Sequence, residues 1–125
     1  MNKLLRVIVA LPGVLFVVMG LRWLTDPAGA AQALGMPLLD GVGRSTQIGD
    51  LGAFFVALGA MMLIGVITAK RAWLYAPAMV LAGAAVFRVC AWLLHDAALA
   101  TALIAPEVVI ASVLLFAASR LPRSA

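Results

Sequence analysis

Asp50, Arg88 and Glu107 are the residues of this chain whose types could do chemistry in unusual places. Each stands inside a strongly apolar run: IGDLGAFFVALGAMMLIGVI, APAMVLAGAAVFRVCAWLL and APEVVIASVLLFAA. A charge in a membrane-spanning helix costs roughly 2.5–3.5 kcal/mol even on insertion scales, so such groups face an interior or a wet cavity and pair with one another. Two acids and one base can bind the polar head of a ligand. They can also exchange a proton as general acid and base, with Arg88 steadying developing negative charge. The formal excess of one negative charge calls for a protonated carboxyl, a cation or a proton donor. The plainer alternative is a neutralising network that only sets helix register.

Further polar residues extend this set. Arg44, Gln47 and Asp50 are spaced by three, which places them on one face of a helix. His95 follows Arg88 by seven and has Trp92 beside it. These spacings predict a funnel, with Arg44, Gln47 and His95 near the mouth and the three charges deeper. For His95 a surface position at a helix end is the simpler reading. One His and one Cys are a poor donor set for a transition metal, so no metal site is expected, and no cofactor is implied.

The elements that must position these groups follow from composition. Of 125 residues, 66% are hydrophobic and 11% charged, against roughly 45–50% and about 25% in soluble domains, which excludes a soluble fold. The apolar material divides into four runs, near 4–24, 46–68, 72–94 and 98–119. About 20 helical residues cross a hydrocarbon core. The runs are continuous and lack the alternation of barrel strands. The predicted fold is therefore an all-α membrane protein: one domain over 1–125, a bundle of four transmembrane helices. Lys3, Arg6, the apolar stretch and Ala-Gly-Ala-Ala also resemble a secretory signal. The run exceeds an h-region of about 7–15 residues, so it reads as a genuine span.

The net charge of +4 does not point to nucleic acid. Lys3 and Arg6 precede run one, Lys70 and Arg71 join runs two and three, and Arg120 and Arg123 follow run four. The opposite loops hold only Arg22 and Arg44. This positive-inside bias predicts a multi-pass protein of the bacterial inner membrane with both termini cytoplasmic. Cys90 permits no internal disulfide and reads as a packing residue.

Between runs one and two, Asp26 then Pro27 makes a helix start and Gly35 a stop, predicting a short interfacial helix near 27–34. It is either a lid over the outer mouth or a linker. Trp23, Trp73, Tyr75 and Trp92 are expected in aromatic belts. Gly49, Gly52, Ala53, Gly59 and Ala60 in run two, and 82–85 in run three, predict close contact between those two spans. Pro106 either kinks the fourth span or begins it. A faint echo, Arg22 and Arg88 late in runs one and three against Asp50 and Glu107 early in two and four, suggests a two-helix repeat. At a rise of about 1.5 Å per residue, Asp50 lies roughly 7 Å below Ser45, Arg88 roughly 10 Å below His95 and Glu107 roughly 12 Å below Leu99. The three charges therefore share one layer in the outer half of the membrane, with Arg88 expected between two carboxylates.

The segments GRSTQIGDLGAFFVALG at 43–59, FRVCAWLLHD at 87–96 and PE at 106–107, on this four-span frame, resemble the DoxX-like superfamily of small bacterial membrane proteins. The likeness covers nearly the whole chain and is closest to a subgroup with no assigned reaction. Members of the wider group are linked with quinol oxidase or thiosulfate–quinone chemistry. The resemblance implies an architecture and carries over no catalytic residue. Three functions fit these observations. The first is a pocket for a small amphipathic or lipophilic ligand (quinone-, sterol- or lipid-like), held by Asp50, Arg88 and Glu107. The second is a membrane-embedded acid/base enzyme, isomerase or hydrolase in type, with Asp50, Glu107 and Arg88 as candidate catalytic residues. The third is an accessory subunit of a larger membrane complex. The lipid bilayer is the expected partner throughout, with a homo-oligomer as a further possibility.

Overall fold

The computed structural model describes residues 1–122 and is helical throughout its ordered elements. Arg123, one of the basic residues invoked for topology, lies outside the described residues. Four helices are long and apolar enough to cross a membrane: α1 (Lys3–Thr25), α3 (Gly41–Thr68), α4 (Ala72–Leu94) and α5 (Thr101–Ser119). A short α2 (Pro27–Ala33) lies between the first two. The chain is a multi-pass membrane protein with a four-helix bundle and a short interfacial helix. Leu4, Leu24, Met79 and Phe87 are each about 70% exposed or more, a surface that water would penalise and hydrocarbon accommodates.

Local chemistry sets most helix ends. The Asn2 side chain accepts from the Leu5 amide at 2.8 Å and caps α1. Asp26 accepts from the Gly29 amide at 3.2 Å with Pro27 behind it, so α2 starts where a capping carboxylate and a preset φ coincide. Two starts differ from expectation. The second span begins at Gly41, because α3 continues through a π-helical turn at Gln47–Leu51. The fourth begins at Thr101, leaving 95–100 irregular, and Pro106 sits within its second turn. Pro106 thus neither begins the helix nor interrupts a span starting at 98. It only withdraws a donor from the carbonyl one turn earlier, near the helix end.

Small residues decide which helices touch, and here the expected pairing is wrong. Span two packs most closely on span one. A Cβ added at Gly20 would stand 2.7 Å from the Val56 amide nitrogen and 2.8 Å from the Gly52 carbonyl oxygen. One added at Gly59 would collide with the Gly13 carbonyl and the Val17 amide. Gly13 and Gly20 on α1 therefore face Gly59 and Gly52 on α3, and the two backbones meet where no side chain intervenes. Gly83, on the corresponding face of α4, has nothing within 4 Å of such a Cβ. The fourth helix packs mainly on α4, and α1 and α5 touch sparingly. The buried centre is Val9, Trp23, Leu58, Met62, Leu74, Leu81 and Leu114. Trp23 is 1% exposed and belongs to this core, not to an aromatic belt, whereas Trp73, Tyr75 and Trp92 are exposed as expected.

At one end of the bundle the Arg71 Nε–H donates to the Leu121 carbonyl at 2.9 Å, tying the α3–α4 turn to the end of α5. That turn uses Ala69 in a left-handed conformation at φ 54°. At the other end, the connection 34–40 is tied to α3 through hydrogen bonds of Leu39 and Pro37 with Gln47.

Candidate functional site

The charged layer sits at that second end. Arg88 is six residues before the end of α4 and Glu107 six residues after the start of α5, so antiparallel neighbours carry them to the same level, about 9 Å from the helix ends. The Arg88 Nε–H donates to Glu107 Oε1 at 3.0 Å. The Glu107 side chain is 13% exposed and that of Arg88 32%. The expected pairing of base and acid is therefore present for one of the two carboxylates.

Asp50 makes no ion pair or side-chain hydrogen bond among the described residues and is exposed. It shares a cavity with the pair without bonding to it. That cavity, about 370 Å³, is bounded by Leu34, Asp50, Leu51, Phe54, Ala84 and the Arg88–Glu107 pair. A second, more apolar cavity of about 250 Å³ adjoins it and reaches all four spans through Phe16, Met19, Phe54, Leu81, Leu103 and Ile110. Phe54, Phe55, Arg88, Glu107 and Leu34 border both. The two phenylalanine rings stand edge to face, centroids 5.0 Å apart, as a wall between them. Two other hollows, about 430 Å³ around Met1 and Arg120 and about 510 Å³ along the outside of α4, have no carboxylate among the described residues that line them.

The predicted funnel does not form. Gln47 is 6% exposed, accepts from the Leu39 amide at 2.8 Å and donates to the Pro37 carbonyl at 3.0 Å. It staples the 34–40 connection to α3. Arg44 is exposed and turns back to Asp40 at 3.1 Å and to the Leu39 carbonyl at 2.8 Å. His95 is exposed at the end of α4, outside both cavities. The π turn widens the helix at Gln47–Leu51, so Gln47 and Asp50 do not align as residues three apart do in a regular α-helix. Arg44 lies before that turn and pairs with Asp40 one turn back. Cys90 is likewise exposed on the apolar surface, not packed. The short helix is more than a spacer: Ala30 and Ala31 are buried, and Leu34 just beyond it touches both cavities. Phe54, Phe55 and Leu34 are the lining residues that sequence reasoning missed. An apolar residue facing a cavity has the same sequence signature as one facing lipid or core.

The fold and this layer together define a small multi-pass membrane protein with an intramembrane Arg–Glu pair bordering two hollows. No known protein family, curated protein or solved structure matches the chain.

Proposed function

We propose that this is a small-molecule-binding membrane protein whose two adjoining cavities take an amphipathic or lipophilic ligand, quinone-, sterol- or lipid-like in size. The observation that carries the reading is that the Arg88–Glu107 pair borders both an apolar hollow and one holding a free carboxylate. Ligand pockets are typically about 300–1,000 Å³, mainly apolar, with a few placed polar groups. The two hollows together fall within that range, and their lining has that composition. Lys3, Arg6, Lys70, Arg71 and Arg120 lie at the opposite end, which supports a bacterial inner-membrane location with cytoplasmic termini and a pocket in the outer leaflet. The DoxX-like resemblance of 43–59, 87–96 and 106–107 is part of the same proposal and concerns architecture, not reaction. A homo-oligomer or a larger membrane complex is compatible with it.

The test is to purify the chain in lipid nanodiscs and compare extracted small molecules with those of empty discs by mass spectrometry. A lipophile enriched with the wild type and lost with Ile110→Trp, which fills the apolar hollow, is expected. Enrichment that is absent, or equal in both, rejects the reading.

A further inference from the structure

The charges of the layer do not balance, and the imbalance points to the chemistry of the ligand. Arg88 is committed to Glu107, and that pair is neutral. Asp50 remains. The other described cations at this end of the bundle are already engaged: Arg22 with Asp26 at 3.3 Å and Arg44 with Asp40 at 3.1 Å. Lys3, Arg6, Lys70, Arg71 and Arg120 belong to the far end. Among the described residues no lysine or arginine at this end is left to neutralise Asp50, and His95 does not line its cavity, although Asp50 stands in a span where an uncompensated charge is costly.

The position of Asp50 is itself a structural peculiarity. It lies within the π turn of α3, and such turns occur disproportionately at functional sites. Beside it the cavity wall is aromatic. Phe54 and Phe55 border both hollows, and an aromatic face attracts a cation within about 6 Å of its centroid. On the α4 side the wall is the small side chain of Ala84. An anionic head would be repelled by Asp50 and would meet a guanidinium whose charge Glu107 already balances, although the Arg88 Nη hydrogens are not used by that bond.

We infer that the ligand is an amphipathic cation, an ammonium group on an apolar tail. Its head lies between Asp50 and the Phe54–Phe55 wall, and its tail lies in the hollow formed by Phe16, Met19, Leu81, Leu103 and Ile110. This rests on the binding function proposed above and assigns it a charge.

The experiment uses the full chain in phosphatidylcholine nanodiscs with a photoreactive diazirine analogue of dodecylamine. Dodecyltrimethylammonium, dodecanol and dodecanoate compete for it. The expected result is saturable labelling at residues that line the two cavities. The ammonium should compete about tenfold or more better than the alcohol or the carboxylate, a difference of roughly 1.4 kcal/mol or more. Asp50→Asn should weaken labelling by the amine probe and remove that preference, so that the ammonium no longer competes better than the alcohol. Should Asp50→Asn fail to fold, the order of the three competitors on the wild type still decides. Equal competition by dodecanol, or better competition by dodecanoate, overturns the cationic assignment and leaves the binding function standing. Absence of saturable labelling, together with no enriched lipophile from the wild type, overturns both.

Discussion

Arg88 and Glu107 meet level with one another across α4 and α5, Nε to Oε1 at 3.0 Å, one side chain nearly buried and the other about a third exposed. The level is set by chain geometry: each residue stands six positions from the turn that joins the two helices. The partial exposure matters for energetics. Water or lipid headgroups can reach the guanidinium from one side, so the pair is softer than a sealed one.

Breaking this pair should therefore destabilise, though less than the roughly 3–5 kcal/mol of a fully buried pair. Glu107→Gln or Arg88→Gln alone is expected to cost on the order of 2 kcal/mol in detergent unfolding. The double substitution should cost less than the sum. A double-mutant cycle giving a coupling near zero would show that the two residues act independently.

Glycine contacts give a second test. Gly20→Val and Gly59→Val should force α1 and α3 apart and lower stability by about 1–3 kcal/mol, since backbone atoms, not mobile side-chain ends, stand in the way. Gly83→Ala meets open space and should leave the unfolding midpoint unchanged or slightly raised. Equal losses at all three positions would contradict the α1–α3 interface.

The left-handed Ala69 makes an opposite prediction. A non-glycine residue there costs about 1–2 kcal/mol. Ala69→Gly should relieve part of that strain and raise stability by roughly 0.5–1 kcal/mol, read from the unfolding midpoint, without altering ligand capture.

Gln47 is expected to act on the connection and not on the ligand. Gln47→Leu strips the Leu39 amide and the Pro37 carbonyl of their partner, at about 1–3 kcal/mol for polar groups left unpaired out of water. Hydrogen exchange at Leu39 should accelerate, and proteolysis in 34–40 should increase. Unchanged exchange at Leu39 would mean that the staple does not hold the loop.

The four spans and the start of α2 were legible because their signals are local. Apolar length, the Asp26–Pro27 start and the spacing of basic clusters need no knowledge of which helix lies beside which. The level of Arg88 and Glu107 was nearly as accessible, since distance from a turn is counted along the chain. The funnel of Arg44, Gln47 and His95 was not, because it assumed regular α-helical phase through 44–50. A π turn is favoured or disfavoured by packing around it, and the run of residues there carries no separate mark of it. The close contact of span two also went to the wrong partner. Gly52 and Gly59 announce a close approach but not its target, and Gly13 and Gly20 on α1 supply the matching surface.

By itself the sequence determined that this chain crosses a membrane in four helices and carries two acids and a base at about one depth. Hydrophobic length and rise per residue are one-dimensional quantities. Only the tertiary structure decided that Arg88 takes Glu107 and leaves Asp50 free, and that Phe54 and Phe55 stand between two hollows. Those outcomes depend on rotation about each helix axis, which is set by the packing of glycine against backbone and by the widened turn at Gln47–Leu51.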